Sequence, residues 1–254
     1  MLSDLIFPVE NAHCWICGTV TQPFAEVDFS KNCEERRGIF IEPTGVMVSY
    51  NRCNNCNHVF SPCFSEWTAE DFTTHIYNKD YLIADPEYPE IRPAHFAREI
   101  NRLFGNFKSE LRHVDYGGGD GLTSDMLKSW GWDTRTYDPY GKSSNEIPEG
   151  KFNLVTAFEV FEHSHKPQET MKNISKLLDD PGVLVMTTGF SDGEITDDKK
   201  LAFWYVSPRN GHISIFSKHS LIMLAQQYQL NIVFDFYGMT VMFKNLPHFM
   251  KQGA

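Results

Sequence analysis

No run of apolar residues in this 254-residue chain approaches the roughly 20 that a membrane-spanning helix needs, so no such span is expected. The opening segment Met1-Leu2-Ser3-Asp4-Leu5-Ile6-Phe7-Pro8 has no basic stretch ahead of a long apolar one. No secretory signal is read there, and a cytoplasmic location is expected. Positive charge is scarce: 23 Lys and Arg stand against 33 Asp and Glu, a formal charge of −10. A broad phosphate-binding surface calls for clustered cations, so a nucleic-acid partner is not expected, although local basic patches remain compatible with the composition. Cysteine is limited to six residues, which a reducing compartment makes metal ligands or buried thiols before disulfides. What is present is a hydrophobic content of 41%, enough for a real core in one ordinary domain with a smaller companion.

Four of the six cysteines fall into two pairs, Cys14-Trp15-Ile16-Cys17-Gly18 and Cys53-Asn54-Asn55-Cys56-Asn57, with 35 residues between them. Two Cys-x-x-Cys pairs close a tetrahedral all-thiolate site of the structural zinc type; the other reading is two unlinked pairs of buried thiols. Gly18 and Asn57 follow the pairs and are the residue types that most readily turn left-handed around a metal. Cys33 and Cys63 are expected in the core; His13 and His58 flank the pairs and are expected at the surface, the alternative being that one replaces a cysteine ligand. Strand-like runs over 19–27 and 39–50, with a turn at Pro43-Thr44-Gly45, complete a zinc-ribbon-like module over residues 1–66.

The stretch 111–138 reads as strand, glycine turn and helix. Val114 and Tyr116 favour a strand, Gly117, Gly118 and Gly119 permit a sharp turn, and Leu122, Met126, Leu127 and Trp130 form one helix face ending at Gly131. A dinucleotide fingerprint needs its last glycine at the sixth place, which here is Leu122; Gly121 stands at the fifth. A second strand, 133–138, ends on Asp138, whose carboxylate suits a ribose diol, with Pro139 and Tyr140 as an apolar wall for adenine. Residues 151–163 are a buried strand running into a polar end, which places Phe158 to His163 at the carboxyl edge where open parallel sheets bind ligands. His163, an imidazole near neutral pKa, is a candidate general base; the alternative is that it only positions a helix or the ligand.

The pattern Asp115-x-Gly117-x-Gly119-x-Gly121 resembles the first motif of class I S-adenosylmethionine-dependent methyltransferases. The run from Glu159 through Glu162 and His163 to Pro167 resembles their post-strand motif. The resemblance implies an α/β Rossmann-like doubly wound sheet over 111–254. It also implies S-adenosylmethionine as cofactor, with Asp115, Tyr116, Gly117, Gly119 and Gly121 around its methionine part. A cation reading also exists, because Glu159, Glu162 and His163 match a similar run in small-RNA 2′-O-methyltransferases. Together with the cysteine module, the whole chain is similar to zinc-binding sugar C-methyltransferases of deoxysugar pathways. In that comparison Tyr77 falls on an active-site tyrosine segment and His163 on a catalytic histidine, with Glu162 beside it as a further catalytic candidate. Those enzymes carry an additional C-terminal domain with no counterpart in these residues, so their substrate and the carbon they methylate are not carried over. One departure concerns adenine. Only thirteen residues separate Asp138 from Phe152, where the family holds a helix and a strand whose end carries an acid. That strand is either missing or vestigial near Ser144 to Ile147.

The segment 67–110 reads as a helical lid or linker. Tyr77, Tyr81 and Tyr88 within twelve residues either line an acceptor pocket or pack between domains, and Phe96, Ile100, Leu103 and Phe104 mark a core-facing helix. An insertion over 189–216 mixes aromatic and polar residues, with Arg209 and His212 as candidate contacts for phosphate or sugar hydroxyls. The expected function is methyl transfer from S-adenosylmethionine to a small acceptor: a sugar, nucleotide-sugar or related metabolite. The rivals are an RNA or protein methyltransferase and a non-catalytic zinc-containing binding module. Oligomeric state and the atom methylated are not read from these residues.

Overall fold

The computed structural model of the protein describes residues 2–141 and 144–250. It divides into two compact units: Met1–Pro86 with Phe161–Gln168 and Thr188–Leu224, and Glu87–Val160 with Glu169–Thr187 and Ala225–Ala254. In chain order the strands are β1 (Ala12–His13), β2 (Val20–Thr21), β3 (Pro23–Asp28), β4 (Met47–Arg52), β5 (Val59–Phe60), β6 (Arg112–Tyr116), β7 (Asp133–Tyr137), β8 (Phe152–Phe158), β9 (Leu178–Thr187), β10 (Ser214–Ile215), β11 (Asn231–Phe236) and β12 (Met239–Phe243). The helices are α1 (Leu2–Leu5), α2 (Ala69–His75), α3 (Tyr81–Ala84), α4 (Ile91–Phe104), α5 (Leu122–Ser129), α6 (Pro167–Leu177) and α7 (Lys218–Gln227).

In the first unit β3, β4, β5 and β10 form an antiparallel sheet in the order β10-β5-β4-β3, and β1 pairs with β2. The expected strand over 19–27 is broken at Gln22, and the register slips between Pro23 and Ala25. Of the expected run over 39–50 only the part from Met47 is strand. The turn before it is tied down by Asp28, whose carboxylate accepts from the N–H groups of Ser30, Thr44 and Gly45. Burial pushes Asp28 up, but those N–H groups outweigh it and hold the carboxyl near 2. Cys33 and Cys63 are buried, as expected of core thiols.

His58 corrects the expectation of a surface position. It is fully buried, lying 5.4 Å from Phe60 in a stacked arrangement and 4.8 Å from Phe216. A neutral ring can be buried among aromatics, and burial pulls its pKa down to about 3.

The second unit holds a six-stranded sheet in the order β11-β12-β9-β8-β6-β7. β7, β6, β8 and β9 run parallel, while β12 and β11 return antiparallel. This is the α/β Rossmann-like arrangement with a mixed sheet. The core gathers Ile100 and Phe104 of α4, Leu127 of α5, Leu154 and Phe158 of β8, and Val183 and Val185 of β9.

α5 differs in detail from its sequence pattern. The buried positions are Thr123, Ser124 and Leu127, while Met126 and Trp130 pack against the core only in part. Two hydroxyls explain the shift. Thr123 Oγ1 donates to the Pro93 carbonyl and Ser124 Oγ to that of Arg135, so small polar residues satisfied by main chain let the helix sit close.

β7 is the edge strand, and among the described residues no helix or strand lies between it and β8. Residues 144–147 therefore form no vestigial strand. No helix among the described residues is long and apolar enough to cross a membrane.

Candidate active site

The glycine turn of the second unit is built where β6 hands over to α5. Gly117, Gly119 and Gly121 all have positive φ, at 77°, 57° and 92°. A Cβ on Gly117 would lie 2.4 Å from Val160 Cγ2, and one on Gly118 would lie 2.6 Å from Asp115 Oδ2 and 2.8 Å from Thr136 Cγ2. The turn is thus bare main chain by necessity, and the free N–H groups of α5 begin directly after it.

Asp138 closes the turn from the neighbouring strand. Its Oδ2 accepts from Gly119 N–H at 2.9 Å and its Oδ1 from Tyr140 N–H at 2.8 Å. Burial raises Asp138, and the N–H groups of Tyr140, Gly119 and Gly141 oppose that rise. Each oxygen keeps a second lone pair, so the carboxylate can still accept from a diol.

The shortened connection after Asp138 folds back on the same turn. Ser144 Oγ donates to the Gly119 carbonyl at 3.0 Å, and the Ser144 carbonyl accepts from Asp138 N–H at 2.8 Å. Tyr116 packs on Tyr137 with ring centroids 4.9 Å apart. Phe158 stacks on Phe96 at 4.3 Å, and Glu159, at φ 53°, accepts from Thr187 Oγ1 at 3.0 Å.

Two further groups stand here, of which Thr136 escaped the sequence. Tyr88 Oη lies 3.5 Å from where a Gly119 Cβ would point. Thr136 Oγ1, beside Gly121, is a buried hydroxyl with no protein partner. Bare main chain, an orphan hydroxyl and a carboxylate with spare lone pairs together fit an adenosyl amino acid with its own hydroxyls and charges.

In the first unit the four cysteines converge. Cys14 and Cys56 are 3.6 Å apart, Cys17 and Cys53 3.5 Å, and Cys17 and Cys56 3.6 Å, with all four sulfurs within 4.8 Å of one another. A tetrahedron with metal–sulfur bonds of about 2.3 Å has edges of about 3.8 Å, so the set suits zinc. The two knuckles match: Gly18 N–H donates to Cys14 O and Asn57 N–H to Cys53 O, with φ of 73° and 59°. The left-handed turns expected after each pair are present. The Cys56 thiol, hydrogen-bonding to Cys14, pulls Cys14 down to about 6, which favours a thiolate.

A second cluster in the same unit surrounds the turn at Gly211, φ 84°. A Cβ there would lie 3.1 Å from His163 Nδ1 and 3.4 Å from Tyr77 Oη. The His163 ring stands 4.8 Å from His212 and 6.2 Å from Tyr77. Glu162 is fully buried, and its Oε1 accepts a short hydrogen bond from the Tyr205 phenol. His212 Nδ1 lies 2.9 Å from the Tyr205 carbonyl, which can only accept, so that nitrogen carries the proton. Tyr205, which the sequence did not single out, therefore orients both Glu162 and His212.

Ligand atoms of Glu162, His163 and His212 lie within 4.8 Å of one another, while Glu159, weighed with the first two from the sequence, lies in the other unit. Arg209 is buried and spends its guanidinium on the Ile76 carbonyl at 2.8 Å and Asn78 Oδ1 at 3.0 Å. Tyr81 Oη donates toward the Asn210 carbonyl at 3.4 Å, and Asn210 holds the Ala84 carbonyl. Arg209 and Asn210 thus tie the tyrosine segment to the Gly211 turn.

Residues 88–234 match a family model described as a methyltransferase domain. No curated protein matches the chain in sequence. Among solved structures it is similar to a magnesium protoporphyrin IX methyltransferase from Synechocystis PCC 6803 with bound SAH, at 13% identity and a TM-score of 0.40, over 59% of this chain and 82% of that one. It is similar also to human N-acetylserotonin methyltransferase in complex with SAM, at 11% identity and 0.42, over 71% and 63%. An O-methyltransferase family protein from Burkholderia thailandensis gives 12% identity and 0.38, over 71% and 69%. Likenesses this loose decide nothing about acceptor or chemistry.

Proposed function

The chain belongs to the methyltransferase-domain family and is an S-adenosylmethionine-dependent methyltransferase, and on that premise we propose that it methylates a small polyhydroxylated acceptor, a sugar, nucleotide-sugar or related metabolite. The observation that carries this reading is the Gly211 cluster: two phenols, two imidazoles and a buried carboxylate gathered within one unit, a set that matches hydroxyls and moves protons. A net charge of −10 argues against a long phosphate backbone as acceptor.

When bound, S-adenosylmethionine supplies an electrophilic methyl group on a sulfonium. Asp115, Tyr116 and the main chain of Gly117, Gly119 and Gly121 would hold its amino-acid part. Asp138 would accept from the ribose hydroxyls, and Pro139, Tyr140, Phe158 and Glu159 would border the rest. His163 would take the proton from the acceptor hydroxyl. Tyr77, Tyr81 and His212 orient the acceptor, and Arg209 contributes by holding Ile76 and Asn78 in place. Glu162 acts through the Tyr205 phenol that it accepts. Cys14, Cys17, Cys53 and Cys56 would hold a zinc ion as four thiolates, a set that would make that site structural, with no open position for substrate.

Three outcomes test this. A panel of hydroxylated acceptors with labelled donor should yield a methylated sugar-class product, and only RNA or protein becoming labelled would overturn the acceptor assignment. His163→Ala should lower kcat by about 10²–10⁴-fold while donor affinity by calorimetry stays unchanged. Full turnover in that variant would remove His163 from the base role. Tyr205→Phe should lower kcat less, by about 10-fold, because it removes one orienting hydrogen bond and no reacting group.

A further inference from the structure

A chain of polar side chains runs through the interior of the second unit directly beneath the glycine turn. His113, on β6 between β7 and β8, is fully buried; its register partner on β7 is Thr134, and Asp115, two residues on, pairs with Thr156 on β8. His113 Nδ1 lies 2.7 Å from Thr134 Oγ1 and its Nε2 lies 2.9 Å from Thr156 Oγ1. Thr156 Oγ1 in turn donates to Asp115 Oδ1 at 2.7 Å.

Counting protons gives this chain a direction. Thr156 has one hydroxyl proton, and an ionised carboxylate can only accept it. The 2.9 Å contact to His113 must then be filled by a ring Nε2–H. Burial pulls His113 down to about 3, so the ring is neutral and its Nδ1 is bare. Thr134 supplies the proton for that nitrogen at 2.7 Å, ahead of its 3.3 Å contact with Ser124 Oγ. Every bond points toward Asp115.

We infer that His113 is a positioning residue for the donor site: its Nε2–H turns the Thr156 hydroxyl onto Asp115 and thereby keeps that buried carboxylate ionised against the cationic donor. The inference rests on the proposed role of Asp115 in holding the donor. An aliphatic residue would fill this position in a parallel sheet at no polar cost, so an imidazole there calls for a polar role.

The groups about Asp115 are Thr156 on β8, Thr123 on α5, His113 on its own strand, and the charge of Asp138 past the end of β7. Burial raises Asp115 to about 6, with the Thr156 hydroxyl pulling it down and Asp138 adding to the rise. Losing the Thr156 hydroxyl therefore lifts it further. A donor cation would then meet a neutral acid at neutral pH.

The test measures the dissociation constants of S-adenosylmethionine and its demethylated product by calorimetry from pH 5 to 9. In the native protein affinity should fall as pH drops through about 6. Thr156→Val should move that midpoint up by about one to two pH units, the effect of one hydrogen bond to a charge, weakening binding about 5- to 50-fold at the pH of the native midpoint. His113→Phe should move it the same way by less. Thr156→Ser and His113→Gln, which keep the donors, should stay near the native profile, and Asp138→Asn separates the contribution of that neighbour.

Native profiles in Thr156→Val and His113→Phe, together with weakened binding in Asp115→Asn, would overturn the relay and leave Asp115 as a donor ligand. Unchanged binding in Asp115→Asn would instead sink the donor role itself. A measurement on the unaltered protein needs no variant to fold: nitrogen-15 NMR should show His113 as the neutral Nε2–H tautomer throughout this range. A ring protonated on Nδ1, or one that titrates, overturns the inference.

Discussion

Gly117→Ala is expected to weaken S-adenosylmethionine binding by at least about 100-fold. Two costs coincide at this position. At φ 77° the backbone is left-handed, which costs an L-residue about 1–2 kcal/mol. The added Cβ would also fall 2.4 Å from Val160 Cγ2, inside contact distance, and a β-branched side chain has little χ1 freedom with which to yield. Together these exceed the ~2.7 kcal/mol that a 100-fold loss represents. The turn must move, and with it the main chain on which the donor is proposed to lie.

The comparison that isolates the cause is Gly117→Ala with Val160→Ala. That pair relieves the clash and leaves the strain, so binding should recover in part. Gly193→Ala is the control, since φ there is 73° but nothing lies within 4 Å, and donor affinity should stay native. Native affinity in Gly117→Ala, measured by calorimetry, would refute the placement of the donor on this turn.

The second large effect concerns the four cysteines. The protein should carry one zinc per chain by elemental analysis. Cys53→Ser, or treatment with a strong chelator, should unfold the first unit. Apparent zinc binding in finger-type sites amounts to about 10–16 kcal/mol, whereas a whole domain is stable by only about 5–15 kcal/mol. The strands that the metal would brace are short, two residues in β1, β2 and β5, and bury little on their own. The first unit also holds His163, Tyr77, Glu162 and His212, so turnover should disappear with it. The second unit has its own sheet and core, so donor affinity should fall far less than turnover. A metal-free protein with native thermal unfolding and full activity would contradict the assignment.

Much of the glycine turn could be read in sequence because its logic is local. Glycines at 117, 119 and 121 set a turn by backbone sterics alone, and the spacing to Asp138 follows from one helix and one strand. The cysteine knuckles were equally legible, since a Cys-x-x-Cys pair and the left-handed residue after it form within five positions. Where side chains from distant segments decided the outcome, sequence was silent. His58 has nothing in its neighbours to announce that Phe60 and Phe216 enclose it. Thr123 and Ser124 look polar on a helical wheel, yet they are the buried face because carbonyls of Pro93 and Arg135 receive them. Tyr205 is one aromatic among several in a long loop until Glu162 is found against its hydroxyl.

The family, the glycine turn and the two cysteine pairs could be read from residue order alone, because the geometry of each pattern is set by bonds and dihedrals a few residues apart. Tertiary structure alone decided that His163, His212, Tyr77 and Glu162 share one cluster, and that His113 is wired to Asp115 through Thr156. Those contacts span 41 to more than 130 positions of chain, and they exist only because burial forces each polar group to find a partner wherever packing places one.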